Sequence, residues 1–150
     1  MINNLNELIN NINNKINYDK NIINFKEIIN EYNGIDWKQY IDLENNVSYK
    51  KRKVFFNDNF ELSIITWLPK IKSKIHNHPE NGCLLKVLSG YIVEEKYSND
   101  LIITDKLLLK KDEIGYINNN IGLHNIYNPN DNITVTLHLY SPGIYKTDFF

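Results

Sequence analysis

The sequence predicts an α+β domain that is mainly β, with helices over residues 1–45 and a small antiparallel β-barrel over residues 46–150. Three observations carry this. Apolar residues recur at helical spacing up to about residue 45. After Asn46 the chain breaks into short runs rich in Ile, Val, Leu, Tyr and Thr, separated by polar turns. No internal repeat and no Pro/Gly/Ser-rich linker divides the 150 residues, which therefore read as one domain.

Ile2, Leu5, Leu8, Ile9, Ile12 and Ile16 form one apolar stripe on an Asn-rich first helix. Asp19 is placed to cap a second, with the stripe Ile22, Phe25, Ile28, Ile29 and Tyr32, and Asn33-Gly34 ends it. Asp36 with Gln39 three residues on resembles a capping box, opening a short helix through Trp37, Tyr40 and Ile41. Strands are expected near 47–56, 60–68, 73–78, 83–88, 91–97, 101–109, 114–117, 124–127 and 132–140. Breaks fall at Asn57-Asp58-Asn59, Ser89-Gly90, Ser98-Asn99-Asp100, Asn118-Asn119-Asn120 and Asn128-Pro129-Asn130-Asp131.

Seventeen basic and eighteen acidic residues leave a net charge of -1, which argues against a chain built to coat nucleic acid or an anionic membrane. No apolar run approaches a bilayer span, and the start lacks the basic and apolar regions of a secretory signal. The single cysteine, Cys83, has no internal disulfide partner, so a cytoplasmic, reducing home is expected. There are 26 Asn and 23 Ile but no Ala. This usage reads as a bias of coding composition, so Asn-rich stretches need not be loops.

Four histidines are present: His76, His78, His124 and His138. On an extended strand, His76 and His78 point to one face and can reach one metal ion. His124, at the start of a later strand, can aim into the same barrel interior. Imidazole suits Zn, Cu, Fe or Ni, so ligand type does not choose the metal. The plainer alternative is a pair of partly exposed strand histidines. Thr136, His138 and Tyr140 share one strand face, while Val135, Leu137 and Leu139 face the other way. A hydroxyl, an imidazole and a phenol in line can form a hydrogen-bonded relay, or simply a buried polar row.

The stretch from Trp67-Leu68-Pro69 through Ile75-His76-Asn77-His78-Pro79-Glu80-Asn81-Gly82-Cys83 to Ser89-Gly90 resembles the first motif of the cupins. Cys83 stands where most cupins carry a Glu ligand, and a Cys there is a hallmark of the cysteine dioxygenases. Gly122-Leu123-His124-Asn125 to Asn128, followed by Leu137-His138-Leu139-Tyr140-Ser141-Pro142, is similar to that family's second motif. The resemblance covers roughly residues 36–145.

This resemblance implies a cupin thiol dioxygenase. His76, His78 and His124 would hold ferrous iron, Fe(2+), as three neutral ligands that leave the ion a high positive charge for an anionic thiolate. L-cysteine and O2 would be the substrates, and cysteine sulfinic acid the product. Tyr140 would be the active-site phenol and Cys83 its thioether cross-link partner, with His138 and Thr136 positioning the ring. Without the resemblance, Cys83 reads as a small buried hydrophobe. Tyr49 matches a tyrosine lining the family's pocket. Trp67 matches a family tryptophan, which packing explains as well as function does. A monomer with neither nucleic-acid nor membrane partners is expected.

The family anchors the substrate carboxylate with an arginine two residues after a tyrosine. In Tyr49-Lys50-Lys51-Arg52-Lys53-Val54-Phe55-Phe56, counting from Tyr49 reaches Lys51, whereas aligning the apolar pair reaches Arg52. A one-residue slip reverses the strand face. Arg grips a carboxylate through two N–H groups, so Arg52 is the first choice and Lys51 the second. The chain departs from the family in three places. It ends at Phe150, which implies absent or abbreviated C-terminal strands; Gly143 follows Ser141-Pro142 where Pro is usual; and Thr147 replaces a second pocket cysteine. Two other readings stay open: a dioxygenase of 3-mercaptopropionate or another small thiol, and a cupin that binds metal or ligand without turnover.

Overall fold

The computed structural model describes residues 1–44 and 49–150. The first two residues of the expected 47–56 strand, and the boundary at 45–46, lie outside the described residues. Helix α1 spans Leu5–Ile16 and α2 spans Lys26–Glu31, with short 3-10 segments at Ile22–Phe25 and Asp36–Tyr40. The strands are β1 (Tyr49–Phe56), β2 (Glu61–Trp67), β3 (Cys83–Ser89), β4 (Tyr91–Tyr97), β5 (Ile103–Lys110), β6 (Ile114–Ile117), β7 (Leu123–Tyr127) and β8 (Thr134–Tyr140). A five-stranded sheet has the order β1-β2-β8-β3-β6, and a three-stranded sheet the order β5-β4-β7. The mainly β class with N-terminal helices is as the sequence predicts, but the two sheets do not close into one continuous barrel.

Period-two alternation splits the large sheet into two faces. Leu62, Ile64, Leu84, Leu88, Val135, Leu137 and Leu139 pack against the helical stripe of Leu5, Leu8, Ile12, Ile22 and Phe25. Ile65, Trp67, Leu85 and Val87 face the small sheet, where Ile92, Leu109 and Ile126 meet them. One face buries the helices, and the other builds the site.

Local chemistry explains the helix ends. Asn4 caps α1 by accepting the Glu7 N–H at 2.8 Å, and the Glu7 carboxylate accepts the Asn3 N–H at 3.1 Å. The second helix is shorter than expected, because Asp19 accepts from Asn21 and the 3-10 segment intervenes before α2. No capping box forms at Asp36; its carboxylate instead accepts the Leu5 N–H at 2.9 Å and the Tyr32 hydroxyl at 2.7 Å. Lys86, on the helix-facing side of β3, is buried, and its ammonium donates to the carbonyls of Ile29, Asn30 and Tyr32 at 3.3, 3.1 and 2.7 Å. A cation at the C-terminal end of α2 meets carbonyls that the helix leaves without partners. This ties the helical layer to the sheet that carries the site.

The stretch expected as a strand over 73–78 is extended but forms only isolated bridges, among them His76 with His124 and with Phe149. Ser141–Pro142 is a cis peptide. Gly143 donates its N–H to the Asp58 carbonyl at 3.0 Å, and a Cβ there would collide with the carbonyl oxygens of Asn57 and Phe60. Proline could supply neither the donor nor the space, which accounts for the glycine at this place. Beyond it the chain crosses the open end between the sheets, where the Asn77 N–H reaches the Asp148 carbonyl and the Phe150 N–H reaches that of Ile75. Among the described residues no helix is long and apolar enough to cross a membrane.

Candidate active site

A cavity of about 170 Å³ opens between the sheets, with histidine, tyrosine and lysine side chains in its wall. His76 and His124 exchange backbone hydrogen bonds at 3.0 and 3.2 Å, which sets their rings side by side. His78 is fixed through its backbone: Asn119 accepts its N–H at 3.0 Å and donates to its carbonyl at 2.9 Å. One nitrogen from each of the three rings lies within 4.8 Å of the others.

The hydrogen-bond partners assign the tautomers. His76 Nδ1 sits 2.8 Å from the Lys74 carbonyl, an acceptor, so it carries the proton. His124 Nδ1 lies 2.7 Å from the Glu94 carboxylate and likewise donates. Burial lowers the pKa of all three imidazoles and keeps them neutral. The Nε2 atoms of His76 and His124 thus face each other at 3.1 Å as lone pairs with no proton between them. Both ring nitrogens of buried His78 have no hydrogen-bond partner among the described residues. Three lone-pair donors that converge in this way repel one another until a cation lies between them. The residues fit a metal ion, and the set His76, His78 and His124 expected from sequence is the set the fold brings together.

Glu94, on β4, was not foreseen. Its buried carboxylate orients the His124 ring, as an outer partner does for a histidine that can hold a metal. Burial pushes its own carboxyl up to about 7, while Lys96, 3.9 Å away, opposes the rise. Glu94→Gln keeps an acceptor but removes the charge, and metal affinity is expected to fall about 10- to 100-fold. Titration against a competing chelator reads this directly.

On the opposite wall runs the polar row of β8. Trp67 Nε1, a donor only, gives its proton to Thr136 Oγ1 at 2.9 Å. The buried Thr136 hydroxyl has no other acceptor among the described residues, so it donates to His138 Nε2 at 2.7 Å. With Nε2 accepting, the neutral His138 ring carries its proton on Nδ1, 3.2 Å from the Tyr140 hydroxyl. Burial holds His138 neutral, its pKa well below the usual value. The phenol oxygen therefore accepts from His138, and its own proton is free to donate into the cavity. Trp67, which packing explains at the level of sequence as well as function does, thus also holds the hydroxyl at the head of the row. Cys83 is paired directly opposite Tyr140 across β3 and β8 and is buried at the cavity wall, where desolvation raises its thiol pKa.

The anchor preference is corrected. Tyr49 and Lys51 line the cavity, Tyr49 stacked on Trp67 at 4.7 Å, but Arg52 lies on the opposite face of β1. Its guanidinium packs over Tyr40 at 5.3 Å and donates to the Gln39 carbonyl at 3.2 Å. The cause is a β-bulge between Lys53 and Phe55, which leaves Val54 outside the register. Counting back from the apolar pair crosses that bulge and comes out one residue wrong. Two more groups escape the sequence reading: Tyr145, which lines the cavity, and Glu61, which lies behind Lys51 and lines a neighbouring space. The Lys51 ammonium lies 3.0 Å from the buried Glu61 carboxylate and 3.0 Å from the Tyr145 hydroxyl. Thr147 also lines the cavity.

The family model described as cysteine dioxygenase type I matches residues 2–150. The chain belongs to the cysteine dioxygenase type I family. Cysteine dioxygenase type 1 of Bos taurus is 33% identical over 119 residues, which cover 75% of this chain and 60% of that protein. The Homo sapiens protein of the same name is 37% identical over 93 residues, 57% of this chain and 46% of its own. The chain thus spans at most 60% of the length of these two cysteine dioxygenases. Among solved structures, a Klebsiella pneumoniae protein with a double-stranded β-helix domain superposes with a TM-score of 0.63 at 17% identity, covering 75% of this chain and 91% of its own. That likeness supports the cupin architecture of this family member.

Proposed function

We propose that this protein is an iron-dependent cysteine dioxygenase: it adds both atoms of O2 to the sulfur of free L-cysteine, giving cysteine sulfinic acid. The carrying observation is the convergence of three neutral imidazoles, His76, His78 and His124, beside a cavity whose wall also presents the Tyr140 phenol. The names of the relatives support cysteine as the thiol. His76, His78 and His124 would hold the iron, which when bound supplies a site for the thiolate and the electrons that activate dioxygen.

The protein's own residues do the rest. Lys51 neutralises the substrate carboxylate at the far end of the cavity and so fixes which way the thiol points. Tyr49 and Trp67 wall that end and exclude water. The Tyr140 O–H donates to the oxygen-bearing side of the substrate as charge develops there, and His138 with Thr136 holds the phenol in that orientation. The direct pairing of Cys83 with Tyr140 supports a thioether between them, formed as the thiol hydrogen and one ring hydrogen pass to dioxygen. The lone cysteine supports a cytoplasmic setting.

The test is oxygen uptake by the iron-loaded protein with L-cysteine, 3-mercaptopropionate and cysteamine in parallel, with products identified by mass. A clear preference for cysteine with a gain of two oxygen atoms is expected. Preference for 3-mercaptopropionate would keep the chemistry and change the substrate. Iron binding without turnover of any thiol would leave a binding protein.

A further inference from the structure

Lys51 is not a free cation. Of its three N–H donors, one meets the Glu61 carboxylate and one the Tyr145 hydroxyl. Tyr145 passes its own proton to the other Glu61 oxygen at 3.3 Å, so the three groups close a ring. Glu61 is 1% exposed and is held in turn by the Ser63 hydroxyl at 2.6 Å. The Lys53 ammonium stands 3.7 Å from Glu61, so two cations share one carboxylate and leave a single net positive charge. Among the described residues one Lys51 N–H has no partner, on an ammonium 5.1 Å from the centre of the Tyr140 ring. The Tyr145 ring stacks on Tyr140 at 5.4 Å and 26°.

Tyr145 also stands between two spaces. The reaction cavity and a neighbouring, more open cavity of about 390 Å³ share Lys51, Tyr145 and Thr147 as lining. Those three side chains are the partition, and Tyr145 is the largest of them. The second cavity is lined by Lys53 and Glu61 as well, so it carries the remaining charge of the cluster.

Resting on the cysteine dioxygenase reading, we infer that Tyr145 is the specificity-determining positioning residue of this site. Its hydroxyl, with Glu61, aims one Lys51 proton at a substrate carboxylate, and its ring limits the thiol to a short one. A lysine stem has four rotatable bonds and lacks the planar fork of arginine, so it needs this outside support to act as a directed donor. Recognition through a single N–H makes the carboxylate preference depend on the clamp.

The experiment is anaerobic calorimetric titration of the iron-loaded protein with L-cysteine and with cysteamine, which lacks the carboxylate. The parent is expected to bind cysteine about ten-fold more tightly, the scale of one hydrogen bond to a charged group. Tyr145→Phe keeps the ring and should bring that ratio close to one through weaker cysteine binding, with cysteamine unchanged. In a Lys51→Met background the same change should have no effect on the ratio. Tyr145→Ala removes the wall and should admit cysteinylglycine, which the parent excludes. The inference is overturned if the parent shows no preference for cysteine, or if Tyr145→Phe leaves the ratio intact or weakens both thiols equally. It is also overturned if the effect persists without Lys51. If the ratios behave as expected but no thiol is oxidised, the proposed reaction falls and the clamp stands.

Discussion

Replacing His78 with Ala is expected to abolish metal binding and turnover together while leaving the metal-free protein about as stable as the parent. Most buried polar side chains contribute through hydrogen bonds, but both ring nitrogens of His78 are buried with no hydrogen-bond partner among the described residues. A buried polar group without a partner costs stability, so its removal offsets the packing that the ring supplied. The position of the backbone does not depend on the imidazole, because Asn119 holds the His78 N–H and carbonyl. The two melting curves separate the roles. Metal at about 100 times its Kd should raise the Tm of the parent by on the order of 5–10 °C and that of the variant not at all. A metal-free variant that melts far below the parent would mean that His78 is a packing residue, and would undercut the ligand set.

What the residue pattern revealed, and where it stopped, follows from how each residue is held. His76 and His78 were legible because an extended backbone puts alternate residues on one side, whether or not a full strand forms; here only isolated bridges do. Thr136, His138 and Tyr140 were legible because β8 is regular and its other face is all apolar. Glu94 carried a signal that could have been read. It shares a strand face with buried Ile92, and an acid on an inward face needs a partner such as the His124 ring. Lys51 and Arg52 were a harder case, because β1 is mostly exposed and has no clean alternation, and a bulge hidden in Lys53–Phe55 shifts the count. Tyr145 was out of reach. It follows a cis peptide in an irregular segment, where no period says which way a side chain points. Long-range contacts alone bring it to Lys51, 94 residues earlier in the chain.

Tyr140→Phe is expected to lower kcat about 100-fold with little change in KM or in metal affinity. The phenol touches none of the three imidazoles through a hydrogen bond; its partner is His138 Nδ1, and the phenol proton points away from that bond. Removing the hydroxyl therefore deletes one donor to the reacting oxygen and leaves the ligand set in place. His138 Nδ1 loses its acceptor in the same change, which adds a stability cost of about 1–3 kcal/mol, visible as a lowered Tm at unchanged metal stoichiometry. A second variant separates the donor from its support. Thr136→Val keeps the β-branched shape but removes the O–H that donates to His138 Nε2. The His138 ring is then free to carry its proton on Nε2, so that Nδ1 becomes the acceptor and the phenol proton is drawn back from the cavity. The expected loss in kcat is smaller, roughly ten-fold, and combining it with Tyr140→Phe should add almost nothing, because both changes silence the same proton. Single-turnover kinetics on the three variants test the ordering. Full additivity would show that Thr136 acts through packing, and an unchanged kcat in Tyr140→Phe would remove the phenol from the reaction altogether.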